Sequence, residues 1–317
     1  MSLSYIIRRV LGAIPLLLGI SVILFAIIQL APGGPLDVYA ENPSVSKEAL
    51  AQIAARYGLD QPVPVQYFLW LKAIVVGDWG YSIRTGRPVL DEIVLRLGPT
   101  LQLGGLAMVI SLLIAVPVGM ISAARRGSKL DGTVTVLSFA GISTPVFWLA
   151  LLLQLLFSVQ LGWLPSAGYQ SIGDGSFIDR LRHIIMPAAV LSLATVASWS
   201  RFIRSGMIDV LNQDYIRTAY AKGRGEKAVL FFHALRNAMI PAVTVIAVDF
   251  VTIISGAVIT ETVFAWPGIG RLFMESMDGR DYPMLMGLMM MGSFAIVVAN
   301  IVADLCYAAL DPRIRYD

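Results

Sequence analysis

The chain has 317 residues, of which 57% are hydrophobic and only 14% are charged, whereas soluble globular proteins have about 25% charged residues. This composition excludes an ordinary soluble domain, and it excludes a disordered chain, because disordered chains are poor in hydrophobic residues. A single cysteine, Cys306, excludes an intramolecular disulfide framework, and two histidines leave little material for a metal site. The composition therefore predicts an integral membrane protein.

Six apolar runs have about the 20 residues that a helix needs to cross a hydrocarbon core of about 30 Å. In chain order they are Val10–Leu30, Pro99–Ala123, Gly132–Leu161, Ile184–Ser200, Ala238–Thr260 and Tyr282–Ala303. A signal peptide is the alternative for the first run, but the run is too long for one and no A-x-A-like cleavage site follows it. The runs predict an all-α integral membrane protein with six transmembrane helices.

The distribution of Lys and Arg predicts the orientation in the membrane. With a cytoplasmic N-terminus, the inner segments 1–9, 124–131, 201–237 and 310–317 contain 14 Lys and Arg against 6 acidic residues. The outer segments contain 10 Lys and Arg against 13 acidic residues. We therefore expect both termini to be cytoplasmic. The basic charge balance follows from this asymmetry, so binding to nucleic acid is not predicted.

The predicted spans divide the chain into three parts. Residues 1–30 form the cytoplasmic N-terminus and first transmembrane helix, residues 31–98 an external insertion, and residues 99–317 a five-helix core that contains the cytoplasmic stretch 201–237. No internal repeat is visible in the sequence.

Two helices are predicted within the insertion. Lys47–Tyr57 has Leu50, Ile53 and Ala54 on one side and Gly58 as a C-cap. The second, Val65–Val76, is too apolar to stand alone in water. These features predict a small cap between helices 1 and 2 that lies against the outer membrane face.

Catalytic motifs are absent from the sequence. No G-x-x-x-x-G-K-[ST] phosphate loop occurs, because the nearest approach, Gly223–Lys227, lacks both the spacing and the preceding strand. No H-E-x-x-H metal motif occurs at His183 or His233, and neither histidine lies inside an apolar span where it could activate a serine. We therefore expect no catalytic residue, no metal site and no ATPase site on this chain.

The stretch 201–237 is the most charged part of the chain. Its pattern predicts a helix over Tyr215–Lys222, a turn at Gly223 and Gly225, and a second amphipathic helix that runs into the fifth span. A short helix that projects from the membrane and ends in glycine suits docking into a groove of a partner. The alternative is a solvated loop, against which the apolar residues Val229, Leu230 and Phe231 argue.

This stretch resembles the EAA loop of ATP-binding-cassette (ABC) importer permeases, in the form found in the peptide and nickel branch. The general pattern is E-A-A-x-x-x-G followed by I-x-L-P, and this chain departs from it at four positions while resembling the branch forms R-T-A-x-A-K-G and H-A-L-R-N-A. The resemblance implies an ATPase-coupling loop formed by Tyr215, Arg217, Thr218, Ala219, Ala221, Lys222, Gly223, His233, Leu235 and Arg236.

Other stretches along nearly the whole chain resemble the same branch. They are Ile6–Arg9, Leu30–Pro35, Tyr57–Asp60, Gly77–Ser82, Pro145–Trp148, Gly162–Pro165, Glu261–Phe264, Pro267–Gly270 and Asp311–Arg313. The resemblance implies an ABC importer type I permease-like fold, located in a bacterial inner membrane. It implies a permease that pairs with a second homologous permease, two cytoplasmic ATPases and a periplasmic binding protein.

The resemblance implies that the protein translocates di- or oligopeptides, with glutathione or nickel chelates as alternative cargoes. ATP and magnesium would be bound by the ATPase subunits, so no cofactor is expected on this chain. An ion-coupled secondary carrier is the rival from another class, but such carriers usually show inverted repeats. A membrane-embedded hydrolase is the third alternative.

Two features of the spans suggest specific roles. Asp249 lies in the middle of the fifth run, where a charge costs about 2.5–3.5 kcal/mol on insertion scales. It is expected either to pair across a helix interface or to line the translocation path, and Pro145 and Phe147 are grouped with it. Ser111, Ala115, Gly119 and Ala123 recur every four residues in the second run, which predicts close helix packing.

Overall fold

The computed structural model describes residues 3–30, 46, 48, 54–55, 60–254 and 257–310. The helices in these residues are α1 Leu3–Leu30, α2 Val63–Val75, α3 Val89–Ala124, α4 Lys129–Ser143, α5 Val146–Leu153, α6 Phe177–Leu211, α7 Asp214–Ala221, α8 Glu226–Ala228, α9 Leu235–Ile254, α10 Val258–Val263, α11 Ile269–Asp278 and α12 Tyr282–Leu310. Two π-helical segments, Gln154–Gln160 and Val229–Ala234, follow α5 and α8. Within the described ranges the only extended pairing is an isolated bridge between Tyr81 and Pro88, and the all-α prediction is confirmed.

Helices lie at all six predicted spans, and up to five of these spans are long and apolar enough to cross a membrane within the described residues. Within the described residues, α1, α3, α6 and α12 are each long and apolar enough to cross a membrane, and α4 with α5 and its π-helical extension makes a fifth candidate if the bent pair is one span. The remaining predicted span, Ala238–Thr260, falls on the 20-residue α9 and on the start of α10. Residues 255 and 256 of that span lie outside the described part of the chain.

Several helices extend beyond their charge-free runs, most of all α3 and α6. The second span begins at Val89 and not at Pro99, and the fourth covers Phe177–Leu211 and not only Ile184–Ser200. The first turn of α3 contains Asp91 and Glu92, which interact favourably with the positive end of the helix dipole. Charges thus interrupt the apolar run without interrupting the helix, and the predicted boundaries at these ends were wrong.

A sharp bend divides the third predicted span. Helix α4 and the helix that begins with α5 meet at an angle of 99° across Thr144 and Pro145. Proline cannot donate a backbone hydrogen bond and disfavours a helical conformation in the residue before it, and Thr144 accordingly has an extended ψ of 121°. The prediction that this long run crosses and turns agrees with the bend.

The second helix predicted in the insertion is confirmed as α2, which packs on α1. The ring of Phe25 lies 5.5 Å from that of Tyr67 and 5.7 Å from that of Trp70, measured between centroids. The hydroxyl groups of Ser21 and Tyr67 are 2.9 Å apart. The predicted helix Lys47–Tyr57 and its cap Gly58 fall largely outside the described residues, and the cap as a whole stays a prediction.

The described residues separate into two compact units. One consists of residues up to Gly98 together with Leu272–Val298, and the other of Pro99–Arg271 together with the residues from Ala299 onward. In the first unit, Asp281 is buried and its carboxylate accepts hydrogen bonds from the Ser82 hydroxyl and from the Ile83 backbone N–H, the second at 3.1 Å. The division predicted at residues 30/31 and 98/99 stays a prediction.

In the second unit, α3 packs closely on α6 through its small residues. Ser111, Ala115 and Ala123 are buried. A Cβ at Gly119 would lie 2.7 Å from the carbonyl oxygen of Ser200 and 2.9 Å from the Cβ of Ile203, so only glycine fits between the helices there. The small residues at four-residue spacing therefore form the face of α3 that packs on α6, as predicted.

A buried carboxylate holds together the part of the second unit that follows α9. Glu261 is fully buried, and its Oε1 accepts a hydrogen bond of 2.8 Å from the Thr100 hydroxyl while Oε2 accepts one of 3.1 Å from the Arg271 backbone N–H. The Thr100 oxygen in turn accepts a hydrogen bond of 2.8 Å from the Ile269 backbone N–H. The stretches Glu261–Phe264 and Pro267–Gly270 are therefore joined to the start of the second predicted span.

Candidate functional site

Helix α7 ends in the turn that the sequence predicts. Gly223 has a φ of +76°, a conformation that is costly for residues with a Cβ. Its N–H donates to the carbonyl of Tyr220 at 2.9 Å, and the N–H of Arg224 donates to the carbonyl of Ala219 at 3.3 Å. This pair of bonds is the Schellman arrangement, which satisfies carbonyls at the helix end. The helix and its glycine stop are confirmed, with the helix ending at Ala221, one residue before the predicted Lys222.

The two faces of α7 have different environments. Ile216 and Ala219 are buried at 1% and 8% exposure, in a hydrophobic cluster that also contains Val229, Ala234 and Ala238. The side chains on the opposite face are exposed, and they are Tyr215, Arg217, Thr218 and Tyr220. The helix is thus anchored to its own protein by one face and open on the other.

The structure shows which way Ala219 faces. The resemblance implies that Ala219 belongs to the loop that contacts an ATPase subunit, and this contact stays a prediction. Ala219 faces the core of its own chain, next to residues of the π-helical segment and α9. The residues most available to a partner in this structure are Arg217 and its exposed neighbours.

Polar contacts fix α7 further. The side-chain amide of Asn237 donates a hydrogen bond of 2.8 Å to the Tyr215 hydroxyl, which ties the start of α7 to α9. Arg217 lies 3.4 Å from Asp214, and the Thr218 hydroxyl donates to the carbonyl of Asp214 at 3.0 Å. Both of these bonds are within α7, so they leave its exposed face available.

The other residues predicted for the coupling loop lie on or beside this structure. Ala221 and Lys222 are exposed at the end of α7, His233 is half-buried in the π-helical segment, Leu235 is half-buried against the cluster, and Arg236 is exposed at the start of α9. The structure therefore brings the predicted residues together around one helix and the segment that follows it.

The second predicted helix runs without a break from α8 through the π-helical segment Val229–Ala234 into α9. Val229 and Ala234 are fully buried there, which agrees with its amphipathic pattern. The expectation that Phe231 is buried is wrong, because Phe231 and Phe232 are 51% and 78% exposed. The wider π-helical turn changes the angle between successive side chains, so an α-helical period places Phe231 on the wrong face.

Asp249 is paired across a helix interface. The indole N–H of Trp199 on α6 donates a hydrogen bond of 2.6 Å to Oδ2 of Asp249 on α9. Trp199 is 1% exposed, and Asp249 is half-buried. Of the two roles considered for Asp249, this geometry supports interhelical pairing, and no signal in the sequence selects Trp199 as its partner.

Pro145 and Phe147, grouped with Asp249 from the sequence, lie elsewhere in the same unit. Pro145 precedes α5 at the bend, and Phe147 in its first turn is 50% exposed. Among the described contacts none joins either residue to Asp249. The described residues also contain no group of three or more His, Cys, Asp or Glu able to hold a metal ion.

Comparison with known families identifies both parts of the chain. Residues 115–316 match the family described as "Binding-protein-dependent transport system inner membrane component". Residues 2–104 match the family described as "Binding-prot-dependent transport system membrane comp, N-term". The first match covers the 214–237 segment, Trp199 and Asp249.

Similar proteins extend over the full length of the chain. The oligopeptide transport system permease protein AppB of Bacillus subtilis (strain 168) is 44% identical over 315 residues, which cover 99% of each chain. The dipeptide transport system permease protein DppB of Escherichia coli (strain K12) is 38% identical over 336 aligned residues, again covering 99% of each chain.

A solved structure shares the fold. An inward-facing structure of the MetNI methionine ABC transporter matches with a TM-score of 0.58 at 15% sequence identity, covering 69% of this chain and 96% of that chain. At this identity the likeness concerns the fold alone, which is that of ABC type I permeases. The chain belongs to the family of binding-protein-dependent transport system inner membrane components.

Proposed function

We propose that this protein is the membrane-spanning permease subunit of an ATP-driven ABC importer that translocates di- and oligopeptides. Family membership and the full-length similarity to permeases named for oligopeptide and dipeptide transport support this cargo class. Glutathione and nickel chelates are the alternative cargoes for the same machinery. The lone midspan acid and the absence of a visible repeat in the sequence argue against an ion-coupled carrier.

The observation that carries the proposal is the two-faced α7. Ile216 and Ala219 fix the helix to its own core, and Tyr215, Arg217 and Tyr220 stay exposed on the opposite face. Tyrosine and arginine are enriched at protein interfaces, so this exposed face suits contact with a groove of another protein. We assign that groove to an ATPase subunit.

Movement of such a helix would reach the spans through packing. Ile216 and Ala219 belong to the same hydrophobic cluster as Trp199 and Ile203 of α6 and Ala238 of α9. Because close-packed side chains transmit displacement, closure of ATP-bound partner subunits would shift α6 and α9 together with α7. The two states of the pore would then differ in stability according to whether ATP and loaded binding protein are bound.

In this proposal, ATP hydrolysis, pore formation and cargo delivery are carried out by different subunits. ATP and magnesium are bound and hydrolysed by two cytoplasmic ATPase subunits, a second homologous permease completes the pore, and a periplasmic binding protein delivers the cargo. This chain would have no enzymatic activity and no bound cofactor of its own. The absence of a phosphate-loop motif from the sequence supports that division.

The proposed orientation places both termini and the 214–237 segment in the cytoplasm and residues 31–98 outside, in a bacterial inner membrane. The excess of Lys and Arg on the inner segments supports it. A cysteine introduced at Ser46, in a chain whose Cys306 is replaced by alanine, should react with an impermeant maleimide from the outside. Labelling only from the cytoplasmic side would refute the orientation.

Purification and reconstitution test the whole proposal. The chain should co-purify with a second permease and ATPase subunits, and proteoliposomes containing the complex should accumulate peptide only with ATP inside and loaded binding protein outside. A ligand screen on the cognate binding protein separates peptides from glutathione and nickel chelates. Uptake driven by an ion gradient in the absence of ATPase subunits would contradict the proposal.

A further inference from the structure

An ion pair between a buried aspartate and a partly exposed arginine joins helices α4 and α6. Arg204 on α6 binds Asp131 on α4 with two parallel bonds, Nε to Oδ1 at 2.6 Å and Nη2 to Oδ2 at 2.8 Å. The side chain of Asp131 is 7% exposed and that of Arg204 is 28% exposed. Such a two-bond contact fixes both the distance and the relative orientation of the two groups.

The same carboxylate also binds the end of α3. The Ser122 hydroxyl donates to Oδ1 at 2.5 Å, and the backbone N–H of Gly127, in the turn between α3 and α4, donates to Oδ2 at 3.0 Å. The backbone N–H of Asp131 donates to the hydroxyl of Ser128, which caps α4. One side chain therefore joins the end of α3, the start of α4 and α6.

Arg204 is joined to α7 by a short, hydrogen-bonded connection. It precedes Asp214 by ten residues and lies between Ile203 and Met207, which are both fully buried in the cluster that receives Ile216 and Ala219. Only Asn212 and Gln213 separate α6 from α7, and Gln213 is hydrogen-bonded on both sides, to Val210 at 3.0 Å and from Ile216 at 3.1 Å. A displacement of α7 is therefore expected to move the end of α6 that carries Arg204.

Stability alone is a weak explanation for this arrangement. Replacing a buried ion pair with apolar residues is often neutral or stabilising, because removing both charges from water costs as much as their attraction returns. The pair instead fixes the relative positions of α3, α4 and α6 near the end of α6 that leads to α7.

We infer that Asp131 and Arg204 are positioning residues, through which movement of α7 is passed to α4. This inference depends on the proposed function, because it assumes that an ATPase subunit moves α7. With the pair intact, α3, α4 and α6 move as one body. Without it, α6 and the α3 packed on it follow α7 while α4 lags behind, so ATP is hydrolysed without opening the path.

Two conservative variants test this inference in the complete reconstituted complex. Asp131→Asn keeps the size of the side chain and removes its charge, and Arg204→Lys keeps the charge and removes the two-bond geometry. In complexes matched for subunit content, we expect peptide uptake to fall about tenfold in Asp131→Asn, within the range of allosteric coupling energies. ATP hydrolysis stimulated by loaded binding protein should stay within about twofold of the parent, because the exposed face of α7 is unchanged.

The matched control is Asp209→Asn, which removes an acidic charge from the same end of α6. Asp209 is exposed, and within the described part of the chain its carboxylate makes no hydrogen bond or ion pair. This variant should keep the parental ratio of peptide transported to ATP hydrolysed. Arg204→Lys should have a lower ratio than the parent and a higher one than Asp131→Asn.

Several results would overturn the inference. An unchanged ratio in Asp131→Asn, or a parallel fall in uptake and hydrolysis, would show that the pair has no part in coupling. Failure of both variants to assemble would assign the pair to folding alone. If the parent complex itself shows no ATP-dependent uptake, the proposed function fails. If the parent transports peptide and the variants keep its ratio of peptide transported to ATP hydrolysed, only the inference about Asp131 and Arg204 fails.

Discussion

The indole N–H of Trp199 and the carboxylate of Asp249 are joined by a hydrogen bond of 2.6 Å between two apolar helices. A charged group in the middle of a span is expensive, and a hydrogen-bond donor on a neighbouring helix lowers that cost. The two residues are 50 positions apart in the sequence, so the bond joins α6 to α9 within the second unit. It therefore explains how an acid is tolerated in the fifth predicted span.

Changing either partner of this bond should destabilise the permease. In Asp249→Leu the buried indole N–H loses its acceptor, which costs about 1–3 kcal/mol in the free energy of unfolding. Asp249→Asn should be milder, because the amide oxygen still accepts the bond. Thermal unfolding of the purified protein in detergent measures both effects.

A double variant makes this prediction sharper. Trp199→Phe together with Asp249→Leu removes the donor and the acceptor at once, so the combined loss should be smaller than the sum of the two single losses. Additive losses would show that the bond contributes nothing to stability. Parental stability and transport in Asp249→Leu would show that this residue has neither a structural nor a transport role.

The Thr100 hydroxyl should be essential to the structure around Glu261. In Thr100→Val, the carboxylate of Glu261 loses a donor and the Ile269 N–H loses an acceptor, both of them in a buried site. We expect the free energy of unfolding to fall by about 2 kcal/mol or more, because the Ile269 N–H loses this acceptor and the buried carboxylate of Glu261 loses one of its donors.

A matched threonine controls for the loss of a hydroxyl group as such. Thr133 is exposed, and its hydroxyl makes one local bond, to the carbonyl of Lys129 at 3.0 Å. Thr133→Val should therefore change the unfolding temperature much less than Thr100→Val. Equal shifts in the two variants would argue against a structural role for the Glu261 site.

Local sequence patterns predicted the features that depend on neighbouring residues. The lengths of the apolar runs predicted the positions of the spans, and the four-residue spacing of Ser111 to Ala123 predicted the packed face of α3. Gly223 predicted the end of α7. Each of these depends on the conformation of the nearby backbone or on one helical face, which is why a single sequence is sufficient.

The features that the sequence did not predict depend on contacts between distant residues. Arg204 and Asp131 are 73 positions apart, and no local pattern pairs them. The inward orientation of Ala219 follows from where the π-helical segment packs, and an eight-residue helix is too short for its periodicity to separate the inner face from the outer one. Helix ends were misplaced because charged residues continue a helix beyond its apolar run.

Gly223 should be required because of its backbone conformation and not because of a crowded environment. A Cβ there would meet no atom within 4 Å, but its φ is +76°. Gly223→Ala should cost about 1 kcal/mol in the stability of the turn and reduce the amount of ATPase subunit that co-purifies with the permease. Quantitative pull-down of the complex measures this effect.

Gly225 is the natural control for Gly223. A Cβ added at Gly225 would also lie in open space, but the φ of this residue is −67°, which any residue adopts. Gly225→Ala should therefore leave co-purification unchanged. If the two alanine variants behave alike, the left-handed turn is not what orients α7.

The two faces of α7 should respond differently to added charge. Ala219→Glu places a carboxylate in the hydrophobic cluster that contains Ile216 and Val229, so the permease itself should lose about 2 kcal/mol or more of stability. Arg217→Glu changes a side chain that is 76% exposed. It should leave folding intact and weaken ATPase binding, so that uptake and stimulated ATP hydrolysis fall together.

Thermal unfolding of the isolated permease, followed by pull-down and reconstitution, separates the two effects. Arg224→Ala, just beyond the turn, should alter either property less than Arg217→Glu does. A stable Ala219→Glu protein that binds no ATPase would instead place Ala219 in the contact, and full coupling in Arg217→Glu would remove the exposed face of α7 from the transmission path.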